Sequence, residues 1–148
     1  MTLPEKQQAF IRRYSVIPDS QERLGALIAR KPVLPPLPDS ARIETNLVRG
    51  CVSRVWLACS FENGLCHFRM DADSPMVKGL VSVLCELYDS EPPEMIATVE
   101  PEIFDRLGIE KILTPTRLNG LANVRRVILE FALSAATPKA SHDVTSCS

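Results

Sequence analysis

The pair Asn63-Gly64 constrains this chain more than any other two residues. It stands between two segments, 55–62 and 65–71, in which apolar and polar residues alternate. Alternation with period two is the pattern of a half-buried strand. Asn-Gly is the strongest short hairpin signal, because both central residues of the favoured turn need positive φ. A two-residue loop then fixes the register: Phe61 faces Cys66, Cys59 faces Phe68, and Leu57 faces Met70. Every apolar residue on that face meets another, and a slip of one residue would lose all three pairs. Cys59 and Cys66 are thereby expected to be packing residues. His67 falls on the opposite face, across from Ser60.

Around this hairpin the chain reads as helical. Pro4 opens a helix over 4–15 with Phe10, Ile11 and Tyr14 as its stripe. Asp19-Ser20-Gln21-Glu22 starts a second, with Leu24, Leu27 and Ile28 at helical spacing. Pro32, Pro35, Pro36 and Pro38 make 31–40 an extended connector laid over the surface. Residues 46–49 are expected to add a short edge strand. Asp73 or Ser74 caps a core helix that Pro75 opens, carrying Met76, Val77, Leu80, Val81, Leu84, Leu87 and Tyr88. Cys85 lies beside that stripe. A short helix to Val99 and another between Pro101 and Gly108 follow. Thr114-Pro115 starts the last helix, with Leu121, Val124, Val127, Ile128 and Phe131 inward and Arg117, Arg125 and Arg126 outward. The fold class is therefore α+β, a small three-stranded antiparallel sheet packed against a helical layer. A single domain is expected over 1–138 and a disordered tail, with an exposed Cys147, over 139–148.

Composition limits the function. Lys and Arg number 17 against 18 Asp and Glu, a net charge of −1, so the overall field would not recruit nucleic acid. No apolar run is long enough to span a membrane, and the N-terminus lacks the basic start and apolar block of a secretory signal. A cytoplasmic location is expected. Five cysteines without a C-x-x-C pair argue against a disulfide framework or a zinc knuckle.

Chemistry concentrates in Leu47-Val48-Arg49-Gly50-Cys51-Val52-Ser53-Arg54-Val55-Trp56-Leu57. Gly50 permits a bend that would put the Cys51 thiol at its tip. Arg49 and Arg54 flank it, and cations favour the thiolate, the form that attacks sulfur. These residues alone leave two readings open: a small packing residue beside a turn, or a reactive thiol.

Three segments resemble the signature blocks of the SufE family. They are 48–57, then Asp73-Ser74-Pro75-Met76-Val77-Lys78-Gly79-Leu80, then Leu113-Thr114-Pro115-Thr116-Arg117-Leu118-Asn119-Gly120-Leu121. The similarity spans roughly residues 8 to 135. It implies the SufE/NifU (IscU-like) fold and a sulfur acceptor that stimulates a pyridoxal-phosphate cysteine desulfurase of the SufS or CsdA kind in iron–sulfur cluster assembly. Cys51 would carry the persulfide on a loop supported by Gly50, Arg49 and Arg54. Asp73 and Arg117 would lie in the partner-docking surface. No cofactor is expected on the chain itself, the pyridoxal phosphate belonging to the partner, and the protein would not be a stand-alone enzyme. A downstream scaffold or other sulfur recipient completes the expected partners. The rival readings are a cluster-assembly scaffold, which needs about four converging soft ligands, and a thiol-redox protein, which needs a base or resolving cysteine beside Cys51. Cys51 is expected to be sheltered against the apolar ends of the sheet in the free protein and to swing outward in the complex.

Overall fold

The structure, a computed structural model, describes residues 1–136, and the tail expected over 139–148, with Cys147 and His142, lies outside them. Strands β1 (Val55–Glu62) and β2 (Leu65–Ala72) form the hairpin in the register the sequence dictates, with Leu57 opposite Met70, Cys59 opposite Phe68 and Phe61 opposite Cys66. Asn63 and Gly64 have φ of 55° and 80°, as the mirror-image two-residue turn demands. The expected third strand is reduced to one bridge, Leu47 to Trp56, prolonged by a hydrogen bond from the Val48 N–H to the Val55 carbonyl at 2.8 Å. Residues Glu44–Asn46 are taken up by a 3-10 turn, and the Asn46 side chain donates to the Ala41 carbonyl. Only two residues remain extended before the turn at Gly50. On the other edge, the Cys66 N–H donates to Glu91 O and the Ser90 N–H to Cys66 O.

Among the described residues, six α-helices surround the hairpin: α1 (Leu3–Ser15), α2 (Ser20–Ala29), α3 (Pro75–Tyr88), α4 (Pro93–Thr98), α5 (Ile103–Arg106) and α6 (Pro115–Ala136). Their starts follow local chemistry. Thr2 and Glu5 form a capping box on α1, Asp19 caps α2, and the Thr114 hydroxyl accepts from the Arg117 N–H at the head of α6. Ser74, not Asp73, caps α3, accepting from the Val77 N–H. Helix α3 lies on β2 and against α2, while α6 packs on α4, α3 and β1. Leu80, Leu84, Tyr88 and Phe68 are fully or almost fully buried where these layers meet, each stabilising the fold by about 1.5–3 kcal/mol of apolar burial. Cys66 and Cys85 are buried with them, and Cys59 is partly buried.

The expectation that Arg125 faces outward is corrected. It is buried at the α4–α6 contact, stacks 4.8 Å from the Tyr88 ring centroid, and donates from Nη2 to the carbonyls of Ile96 and Val99. Those carbonyls belong to the end of α4, where no helical partner remains for them. A long guanidinium reaches them and so ties α6 to the α4–α5 connection.

Candidate functional site

The site forms where the 49–54 loop meets the N-terminal halves of α3 and α6. The loop leaves the sheet at Val48 and rejoins it at Val55. Its far end is tied again by the Asp73 N–H donating to the Arg54 carbonyl at 3.1 Å. Gly50 takes φ +86°, a left-handed conformation that costs an L-residue about 1–2 kcal/mol. The bend turns the Cys51 side chain toward α6, where Sγ lies 3.7 Å from the Gly120 carbonyl oxygen. A Cβ added to Gly120 would stand 3.7 Å from that sulfur, so the glycine keeps the helix surface low beneath the thiol.

Cys51 is partly buried, and all four described cysteines are free. Its thiol faces a cavity of about 210 Å³ lined by Val55, Val77, Leu80, Val81, Leu121 and Val124, with Thr114, Thr116 and Arg117 completing the wall. The hollow is mostly hydrocarbon and adds space beside the sulfur rather than a base. His67, the histidine of the hairpin, stands across from Ser60 in the register, with Nδ1 3.4 Å from Ser90 Oγ and 3.8 Å from Asp89. It belongs to a polar cluster on the β2–α3 side.

Burial pushes the Cys51 thiol above its ordinary pKa, and the positive charge of Arg126 draws it partly back. The cation that acts on the thiol is therefore on α6. Arg54, expected in that role, instead pairs with Asp73 at 2.9 Å and lies over the Trp56 ring. Arg49 is exposed and makes no ion pair or hydrogen bond among the described residues. Of the two residues expected at a docking surface, Asp73 is exposed beside the loop, while Arg117 lines the cavity with Nη1 2.7 Å from Met76 Sδ. Gly50, Cys51 and Arg117 thus share one site, Arg54 and Asp73 form a pair at its edge, and Arg49 stands apart.

Three residues had no role at the site in the sequence reading: Asn123, not named there, Gly120, quoted only within a signature block, and Arg126, placed on the outer face of the last helix. Asn123, only 9% exposed, donates from Nδ2 to the Gly50 carbonyl at 3.0 Å, and its Oδ1 accepts from Arg126 Nη1 at 2.6 Å. Their spacing was part of the signal, since Gly120, Asn123 and Arg126 stand three residues apart, so that each is a surface neighbour of the next along α6.

Among the described residues, no three His, Cys, Asp or Glu side chains converge as metal ligands. Burial drives the thiol of Cys59 to about 12 and that of Cys66 to about 11, and raises that of Cys85 as well. These three pack in the core.

The SufE model, an Fe-S metabolism associated domain, matches residues 8–132. An uncharacterised SufE-like protein of Synechocystis is 29% identical over 133 residues, covering 90% of this chain and 84% of that one. One from Rhizobium etli is 34% identical over 124 residues, covering 80% and 84%. The chloroplastic/mitochondrial SufE-like protein 1 of Arabidopsis thaliana is 30% identical over 132 residues, which are 88% of this chain but 36% of that longer one. A solution structure of a hypothetical protein from Thermus thermophilus shares the fold, with a TM-score of 0.70 at 24% identity, over 91% of this chain and 98% of that one. With its signature blocks gathered around one cysteine and its fold matched over nearly the whole described length, this chain belongs to the SufE family, whose proteins are associated with iron–sulfur metabolism.

Proposed function

We propose that this protein is a sulfur acceptor, taking sulfane sulfur from a pyridoxal-phosphate cysteine desulfurase onto Cys51 and passing it on for iron–sulfur cluster assembly. The observation that carries this reading is a free thiol on a bent loop, set over an apolar hollow with unfilled space beside its sulfur. In the transfer, Cys51 gives up its proton and the thiolate attacks the outer sulfur of the partner's persulfide. The partner's S–S bond breaks as the new one forms, and the partner's cysteine leaves as a thiolate that takes up a proton. One S–S bond replaces another, so no external oxidant or reductant is consumed.

The acceptor supplies neither the pyridoxal phosphate nor the C–S cleavage, both of which belong to the partner. It acts as an accessory that relieves the desulfurase of its product and so stimulates it. A raised thiol pKa keeps Cys51 largely protonated and quiet in the free protein. Ionisation then falls to the docked state, where Arg126 and the partner's own groups surround the sulfur. The hollow gives the terminal sulfur of a persulfide an apolar shelter from reductants and from oxidation. Asp73, Arg54 and Arg117, on the rim of the same opening, would meet the desulfurase. A reducing compartment such as the cytosol suits a chain with four free described cysteines.

The test is intact-mass measurement after incubation with a cysteine desulfurase and cysteine. The expected result is a gain of about one sulfur atom, absent in Cys51→Ser and removed by a thiol reductant. A gain that persists in Cys51→Ser overturns the assignment.

A further inference from the structure

The loop bearing Cys51 is held in place from outside by very little. Among the described residues, 49–53 receive one hydrogen bond of normal length from beyond the loop, and it comes from Asn123 to the Gly50 carbonyl at 3.0 Å. The remaining polar contact is the long one from Cys51 Sγ to Gly120 O. No other hydrogen bond or ion pair reaches 49–53 from beyond the loop among the described residues, and the cavity wall beside them is mostly hydrocarbon. The Asn123 carboxamide is itself fixed. An arginine can only donate and a carbonyl can only accept, so Arg126 at Oδ1 and Gly50 at Nδ2 require the same orientation of the amide. The fit is close as well, because a Cβ on Gly50 would come within 2.5 Å of Nδ2. The left-handed bend at Gly50 and the burial of Asn123 are two sides of one contact.

We propose that Asn123 is a positioning residue: its carboxamide, braced by Arg126, latches the Gly50 carbonyl and seats Cys51 over the cavity, and this bond must open for the thiol to leave. What the opening is for rests on the sulfur-acceptor reading above. The latch itself is a property of the free protein and is measured there. Arg126 then has two separable roles, bracing the amide and placing positive charge near the sulfur. A docking partner that presents an anion to Arg126 would pull on both at once, loosening the loop as its own sulfur arrives.

The experiment measures alkylation of Cys51 by a fluorescein maleimide, located by peptide mass mapping, as a function of pH. A Cys147→Ser background removes the thiol outside the described residues. The profile separates two quantities, since its high-pH plateau reports access and its midpoint reports the thiol's ionisation. Asn123→Leu keeps the branched outline of the side chain and deletes both hydrogen bonds, and Asn123→Ala deletes them while shortening the side chain. Loss of one buried hydrogen bond that favours the seated loop raises the plateau about tenfold in both variants. Arg126→Gln, at an exposed position where folding is not at stake, moves the midpoint upward and raises the plateau by a smaller factor. The proposal is overturned if the plateau in Asn123→Leu and Asn123→Ala equals that of the parent. It is equally overturned if Cys59, Cys66 and Cys85 become reactive in parallel, which would report general loosening. If the wild-type protein gains no sulfur from a desulfurase, the acceptor reading fails whatever these rates are. If it gains sulfur and the plateaus do not move, the latch alone fails.

Discussion

Replacing Gly50 with alanine tests how the cysteine loop is built, and Gly64 supplies the control. Both glycines hold left-handed backbone, at φ of +86° and +80°, and each would cost about 1–2 kcal/mol on gaining a side chain. They differ in surroundings. A Cβ at Gly64 meets nothing within 4 Å, whereas one at Gly50 stands 2.5 Å from Asn123 Nδ2 and 3.2 Å from its Cγ. Gly50→Ala therefore also forces the amide aside and gives up its hydrogen bond, a further ~0.5–1.5 kcal/mol. In a chain of this length 1 kcal/mol moves Tm by about 3 °C. Gly64→Ala should lower Tm by about 3–6 °C and Gly50→Ala by about 5–10 °C, read by calorimetry on both proteins under one buffer. A loop that escapes the clash by leaving its seat would show a smaller loss of Tm together with faster alkylation of Cys51. Equal Tm for the two variants with unchanged Cys51 reactivity would refute the reasoning.

Two further outcomes follow from the charges and thiols. The folded thiols of Cys59, Cys66 and Cys85 hold their protons above the ordinary value of 9.0, Cys59 to about 12 and Cys66 to about 11. Their burial therefore favours folding fully below that value, and the advantage is lost as pH rises from about 9 towards 11 and 12, because the unfolded chain releases protons the folded one retains. Urea midpoints should fall over that range, less steeply in Cys59→Ala; parallel slopes would contradict it. Asp73→Asn breaks an exposed pair with Arg54 and should change stability by less than about 1 kcal/mol while altering the KM for sulfur uptake from a desulfurase. A large drop in Tm with unchanged KM would make the pair structural.

Much of this architecture is legible in the chain because local rules and global packing agree. Asn63-Gly64 admits one turn, the alternation on either side admits one register, and burial of Phe68 and Cys66 confirms both. Cys51 was legible for a similar reason, since Gly50 marks the bend. Its chemistry was less so. Proximity in sequence suggested Arg49 and Arg54 as the activating cations, but side chains next to a bend point away from its tip, and Arg54 found Asp73. The effective charge came from Arg126, which only the docking of α6 brings near. Arg125 misled through its charge. It stands four residues after Leu121 and three before Ile128, squarely on the inward face, and spacing was the better guide than polarity. The carbonyls at the end of α4 that call for a guanidinium there are invisible until the helices pack. The third strand fell short because the 3-10 turn at Glu44–Asn46 consumes the residues that would have extended it.

The hydrogen bond between Val48 and Val55 has a consequence for reach. It and the Arg54–Asp73 backbone bond leave only 49–53 free to move without dismantling the sheet edge. Fully stretched, the half of that span leading to Cys51 advances ~3.3–3.6 Å per residue, about 10 Å in all. So short a tether cannot carry the sulfur into a deep cleft. On the sulfur-acceptor reading, a donor would then have to extend its own sulfur towards the surface and close most of the remaining distance itself.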